Sequence, residues 1–317
     1  MPHNLIFWVG FNLFVLVMMA LDLGVFNRRR HAIGFREAIG WSIVWVALAA
    51  LFALLLRGHG QQMAGDALHT NGELSLQFVT GYVIELSLSV DNLFIFLLLF
   101  RFFHVPGELQ RKVLTWGILG ALVMRALFIV AGVALIQRFE WVTYIFGAFM
   151  LYAGIRLFFD SEQSPPKENL VLKLFRKAVP VCDTFDGGKF FTVRNGIRYA
   201  TPLMVVLLMV ETTDVLFAVD SIPAVLAISR DAFIVYTSNV FAILGLRSMY
   251  FALAGLMDIF HLLHYGLSVV LVFIGVKMLG AHYFDIPIVL SLGIVIGVLT
   301  TAVIASLVFP KKREVSA

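Results

Sequence analysis

Long uninterrupted runs of apolar residues recur along this chain, and they decide which solvent it folds in. A helix rises 1.5 Å per residue, so about 20 apolar residues cross the roughly 30 Å hydrocarbon layer of a bilayer. Such runs lie at 5–26, 37–56, 75–100, 111–136, 141–159, 200–227, 232–256, 263–280 and 286–309. Of the 317 residues, 60% are hydrophobic and 14% charged, against about 45–50% and about 25% in soluble domains. That balance excludes a disordered chain, a collagen-like fibre, a disulfide scaffold and a soluble enzyme. The predicted fold is all-α: a polytopic membrane protein of about nine transmembrane helices, with residues 1–317 forming one integral membrane domain.

The net charge of +4 does not point to nucleic acid, because the basic residues flank the apolar runs. With the N-terminus outside, 18 of the 24 Lys and Arg fall in inward-facing segments and only Arg57, Arg138 and Arg230 in outward-facing ones. The bias of Lys and Arg toward the cytoplasm therefore sets the N-terminus outside and the C-terminus in the cytoplasm. Met1 to Asn4 lack Lys and Arg, and no small-residue cleavage site precedes Arg28, so the first helix is expected to be retained. Cys182 is the only cysteine and cannot form an intramolecular disulfide.

The longest connection, 161–198, is expected on the cytoplasmic side. Leu170, Leu174 and Phe175 with Lys173, Arg176 and Lys177 predict a short amphipathic helix on the inner leaflet. Phe190 to Tyr199, with Asn195-Gly196 at its centre, predicts a hairpin, since Asn-Gly accepts the positive φ of a type I′ turn.

Two parts of the chain resemble each other. Ser89-Val90-Asp91-Asn92-Leu93 in the third run aligns with Ala218-Val219-Asp220-Ser221-Ile222 in the sixth, with Glu85 and Glu211 upstream. Gly117-Ile118-Leu119-Gly120 then Arg125 matches Ala242-Ile243-Leu244-Gly245 then Arg247, and Gly154-Ile155-Arg156-Leu157 matches Gly275-Val276-Lys277-Met278. The third to fifth and sixth to eighth helices thus read as a 3+3 repeat. An odd number of crossings inverts the second copy, an arrangement of secondary transporters whose site lies where the copies meet.

Five acids fall inside these runs: Glu85, Asp91, Glu211, Asp214 and Asp220. An acid at the bilayer centre costs about 2.5–3.5 kcal/mol, so five uncompensated would cost on the order of 12–17 kcal/mol. A bound cation, protonation, the arginines or a water-filled cavity must offset them. Glu211 and Asp214, three residues apart, share a helix face. Pro223 predicts a break just past Asp220, with Ser87, Ser89, Thr212 and Thr213 serving freed backbone groups. Carboxylates, carbonyls and Asn92 form a hard donor set suited to Mg²⁺, Ca²⁺ or Mn²⁺. No His or Cys adjoins the acids, which argues against a dedicated Zn²⁺ or Cu⁺ site.

The motifs Glu85-Leu86-Ser87-Leu88-Ser89-Val90-Asp91-Asn92 and Glu211-Thr212-Thr213-Asp214 through Asp220-Ser221-Ile222-Pro223 closely resemble the TerC family, in particular its Alx-type branch. Ser238 to Arg247 and Phe190 to Pro202 resemble that branch too, so the likeness spans essentially the whole chain. The resemblance implies a nine-helix bacterial inner-membrane protein of the LysE-like transporter group, linked to Mn²⁺ export. It implies that transport depends on Glu85, Asp91, Glu211, Asp214 and Asp220, with Asn92 as a supporting ligand.

The expected function is therefore a secondary-active exporter of Mn²⁺ or another hard divalent ion, with protons as counter-ion and no permanent cofactor. The metal is its substrate and the lipid bilayer its surroundings; no nucleic-acid partner is expected. No Walker A loop supports direct drive by ATP. An intramembrane aspartyl protease also needs two membrane acids, but Asp91 follows Val90 and Asp214 follows Thr213, outside the contexts of such enzymes. No enzyme activity is expected. The alternative is a non-transporting membrane partner that helps metallate or insert exported proteins.

Overall fold

The computed structural model describes residues 2–27, 35–65, 68–139, 141–159, 170–194, 196–253, 262–280, 283 and 286–309. Within the helices the side chains of Asp91, Asn92 and Asp220 are outside the described set. The basic clusters at 28–30 and 311–313, used above for orientation, also lie outside the described residues.

Among the described residues the chain forms ten α-helices: α1 (Pro2–Asn27), α2 (Phe35–Ala64), α3 (Asn71–Phe102), α4 (Gly107–Arg138), α5 (Val142–Phe159), α6 (Leu170–Ala178), α7 (Pro202–Leu226), α8 (Ala232–Leu253), α9 (Leu263–Leu279) and α10 (Ile288–Val308). A helix lies over each of the apolar runs. Five described segments are long and apolar enough to cross a membrane: Phe35–Ala64, Gly107–Ile136, Val142–Phe159, Ala232–Leu253 and Val289–Val308. Leu5–Leu21 and His264–Leu279 are apolar but shorter. Ile6, Leu54, Val123, Val130 and Val289 are each exposed by more than 60%. In a fold this helical, such outward apolar side chains define a lipid-facing surface.

The connection between α5 and α7 holds α6 and an antiparallel hairpin, β1 (Phe191–Arg194) and β2 (Ile197–Ala200), in register Phe191↔Ala200 through Arg194↔Ile197. Gly196 takes φ +79° at the turn, a conformation costly for any side chain, while Asn195 is outside the described residues. Thr201 Oγ1 donates to Lys189 O at 2.6 Å, and Lys112 Nζ donates to Gly188 O at 2.8 Å, tying the hairpin base to α7 and α4.

Three apolar clusters fill the interior. Phe11, Phe52, Phe78, Phe233 and Phe241 join α1, α2, α3 and α8, with Phe52 ring centroids 5.1 Å from both Phe78 and Phe241. The other two clusters stack along the shared core of α3, α4, α7 and α8: one around Ile84, Leu88, Ile129, Ile222 and Val235, the other around Leu93, Leu114, Val210 and Ile243. Elsewhere α5 and α9 cross so closely that a Cβ on Gly275 would stand 2.9 Å from Gly147 O, and one on Gly154 would stand 2.9 Å from Ser268 O. Ser268 Oγ donates to Gly154 O at 2.5 Å across the same crossing. Glycine is required there because the backbones themselves touch.

The break predicted at Pro223 does not occur. α7 runs unbroken through Asp220 and ends only at Leu226. Pro223 lies inside the helix and has no N–H to give the preceding turn, yet Ala227 N donates to Pro223 O at 3.0 Å, so the helical bonding carries on past the ring to the end of α7. α3 is likewise continuous past Ser87 to Ser89. Ser87 Oγ and Thr212 Oγ1 bond the carbonyls one turn back, Val83 O at 2.7 Å and Leu208 O at 2.6 Å, instead of serving freed groups.

Candidate functional site

Where one stacked cluster gives way to the other, the core becomes charged. On α4 Arg125 lies between Leu114 and Ile129; on α7 Asp214 lies between Val210 and Ala218; on α8 Asn239 lies between Val235 and Ile243. Glu85 enters this level from α3. Glu85 and Asn239 are fully buried, Arg125 is 1% exposed and Asp214 4%. At 1.5 Å per residue Glu85 stands about 21 Å from the start of α3, near its middle.

Arg125 is the hub. Its Nη1 pairs with Glu85 Oε1, and also donates to Asn239 Oδ1 at 2.8 Å and to Ser221 Oγ at 3.3 Å. Its Nη2 lies 3.5 Å from Asp214 Oδ1. Asn239 Nδ2 donates to Glu85 Oε2 at 3.2 Å, and Ser89 Oγ to Glu85 Oε1 at 3.4 Å. A cation thus bridges acids from α3 and α7, with an amide from α8 completing the ring. Arg125 offsets part of the cost of burying these acids, one positive charge against two carboxylates, since an isolated carboxylate in this setting would cost several kcal/mol. Satisfaction is incomplete, however. Asp214 Oδ2, Arg125 Nε and Arg125 Nη2 have no hydrogen-bond partner among the described residues.

Glu211 also faces α4, as its spacing from Asp214 predicts, but at a different point. Its carboxylate rests on Gly120, where a Cβ would overlap both oxygens. Asp214 and Arg247, with Leu93, Gly117 and Val210, border a cavity of about 20 Å³. That suffices for one water-sized particle, which needs about 10–15 Å³.

Of the predicted site residues, the structure brings Glu85 and Asp214 together around one guanidinium and seats Glu211 nearby on the same helix. Asp91 and Asn92 lie in α3 and Asp220 in α7, with side chains outside the described set. Among the described residues no group of three or more His, Cys, Asp and Glu is close enough to hold a metal ion. Sequence reasoning left Asn239 and Ser221 in the background, although both donate or accept at the hub. Their signal was polarity within an apolar run, the same one that marked the acids.

The fold and this centre define a polytopic α-helical membrane protein with an ion-paired polar core. Residues 70–314 match the sequence profile of the "Integral membrane protein TerC family", and the chain belongs to that family. It is 48% identical over 302 residues to a Myxococcus xanthus protein described as "Uncharacterized membrane protein STKORF319", covering 95% of this chain and 92% of that one. It is 48% identical over 294 residues to an Escherichia coli (strain K12) protein, covering 92% of this chain and 91% of that one. A Salmonella typhi protein is 47% identical over 304 residues, covering 94% and 92%. Both of these carry the name "Putative membrane-bound redox modulator Alx". No solved structure matches the chain.

Proposed function

We propose that this protein is a secondary transporter, not an enzyme, that exports Mn²⁺ or a similar hard divalent ion in exchange for protons. Glu85, Asp91, Glu211, Asp214 and Asp220 would carry the ion, assisted by Asn92, and would pass between metal-bound and protonated forms. The observation that carries this reading is the bridging of Glu85 and Asp214 by one buried cation, sealed between two apolar clusters. Carboxylates gathered around positive charge at mid-helix are an expensive arrangement that an ion pathway requires and helix packing does not.

In the same reading α3, α4 and α5 are one unit of an inverted repeat and α7, α8 and α9 the other, and the packing is consistent with that. α3 packs on α8 as α7 packs on α4, and α5 crosses α9, as a two-fold relation requires. Gly147 and Gly154 in α5 are seven residues apart, as are Ser268 and Gly275 in α9, and the crossing pairs Gly147 with Gly275 and Gly154 with Ser268. In this reading nine helices cross a bacterial inner membrane, with the N-terminus outside and residues 161–198 and the C-terminus in the cytoplasm.

The relatives' name suggests redox chemistry, yet this chain has one cysteine, buried, with Sγ 3.4 Å from Thr184 O. A metal or proton flux that alters redox balance indirectly fits both. The second reading, a non-transporting partner of exported proteins, draws support from the hairpin tip, where Val193 is 68% and Ile197 53% exposed.

The test is Mn²⁺ flux into proteoliposomes holding purified protein, with and without a pH gradient, beside Asp91→Asn and Glu211→Gln. Gradient-dependent flux that both substitutions abolish is expected. Absent flux in well-folded wild-type protein, or unchanged flux in the variants, would refute the proposal and favour the partner reading.

A further inference from the structure

The position of Arg125 within the two-unit architecture gives it a role beyond charge balance. Glu85 precedes Asp91 by the same six residues by which Asp214 precedes Asp220, so Glu85 and Asp214 are equivalent positions of the two units. The guanidinium that touches both therefore sits where the units converge. Around it the described acceptors are all oxygens: Glu85 Oε1, Asn239 Oδ1 at 2.8 Å, Ser221 Oγ at 3.3 Å and Asp214 Oδ1 at 3.5 Å. Carboxylate, amide and hydroxyl oxygens are also what a hard divalent cation collects. Arg125 and a metal ion thus compete for one set of ligands.

We propose that Arg125 is a tethered counter-cation: it fills the carboxylate cage between transport events and must be displaced for the metal to bind. The proposal rests on the transporter reading and names how that site is regulated. When the ion leaves, the guanidinium returns to Glu85 and Asp214, so the empty cage never stands uncompensated in the apolar core. The fit supports displacement over permanence. Asp214 Oδ2, nine-tenths buried, has no hydrogen-bond partner, and neither do Arg125 Nε and Nη2 among the described residues. A fixed structural pair would satisfy these atoms, since each buried unsatisfied group costs about 1–3 kcal/mol. Asp214 also borders the cavity of about 20 Å³, which leaves room beside the pair for one small particle.

The experiment titrates Mn²⁺ alone into full-length protein in detergent, by calorimetry and by thermal unfolding, for wild type, Arg125→Gln and Arg125→Lys. Removing the competitor is expected to tighten Mn²⁺ binding by about ten-fold or more in Arg125→Gln. Arg125→Lys keeps the charge but lacks the fork whose two nitrogens reach Glu85 and Asp214 separately, and is expected to fall between. Mn²⁺ is expected to raise the melting temperature more in Arg125→Gln than in wild type, because there it replaces the missing charge. Equal or weaker Mn²⁺ binding by a folded Arg125→Gln protein would overturn the proposal. Should Arg125→Gln fold only in Mn²⁺, chelation is expected to unfold it; failure of Mn²⁺ to recover its fold would likewise overturn the proposal. Wild-type protein that binds Mn²⁺ without transporting it would instead refute the transporter reading. Absence of binding in wild type and Arg125→Gln alike would remove both.

Discussion

Asn239→Leu isolates the least obvious member of the polar centre. The amide donates to Glu85 Oε2 at 3.2 Å and accepts from Arg125 Nη1 at 2.8 Å, both fully buried. Hydrogen bonds to charged groups contribute about 1.5–3 kcal/mol each, so losing both should cost about 3–6 kcal/mol. Leucine fills similar space, so little of that loss is cavity. Unfolding free energy in detergent micelles, followed by helical content against denaturant, measures it. Thr237→Val is the control two residues away: its hydroxyl bonds only Phe233 O and Ile234 O of its own helix, and at most about 1.5 kcal/mol should be lost. Combining Asn239→Leu with Glu85→Gln closes a double-mutant cycle, and residues in one network should couple by about 0.5–3 kcal/mol. A loss under about 1 kcal/mol for Asn239→Leu, or no coupling to Glu85→Gln, would refute the ring of contacts around Arg125.

Gly120→Val should place a side chain where the Glu211 carboxylate rests; the protein should keep its helical content but lose most Mn²⁺ flux in proteoliposomes. Gly275→Leu should force α5 from α9, where a Cβ already meets Leu151 N at 2.7 Å, and destabilise the protein by about 1–3 kcal/mol or more in the same unfolding assay. Cys182→Ser should leave Mn²⁺ flux within two-fold of wild type; a large fall would favour thiol chemistry. Substituting Gly58, whose Cβ would meet nothing within 4 Å, by alanine should leave stability unchanged or slightly raised, which controls for helix propensity.

The helices were legible because apolar runs of bilayer length leave few alternatives. That Glu85 and Asp214 need compensation was legible too, since acids stand out in apolar runs. Their partnership was not. Arg125 follows Gly120 by five residues and Arg247 follows Gly245 by two, so the two arginines stand three residues, about 4.5 Å along the axis, out of register, and it is Arg125 that bridges Glu85 and Asp214. Asp91 and Asp220 each have a glutamate upstream, Glu85 at six residues and Glu211 at nine, whereas counting back six residues from Asp220 finds Asp214, the residue that shares the guanidinium. Pro223 misled because a proline lowers the tendency to form helix without fixing where a helix ends; its neighbours Ile222, Ala224 and Val225 are buried in the core, and the helix holds to Leu226.

For a transporter of the proposed kind, the location of the tight contacts constrains what can move. Leu88, Ile222 and Val235 belong to one of the apolar clusters flanking the polar centre and Leu93, Leu114 and Val210 to the other, so in such a transporter an ion leaving toward either face has one of these clusters to pass. Opening requires α3 to part from α8, or α7 from α4. The α5–α9 crossing is a poor place to move, because backbone meets backbone at Gly147 and Gly275 and any sliding would drive carbonyls together. In the proposed rocking of two units it would serve as the seam, with the polar centre off that seam, where a small rotation would open one apolar layer while compressing the other. A disulfide placed across α3 and α8 should then trap the ion that a disulfide across α5 and α9 leaves free to exchange.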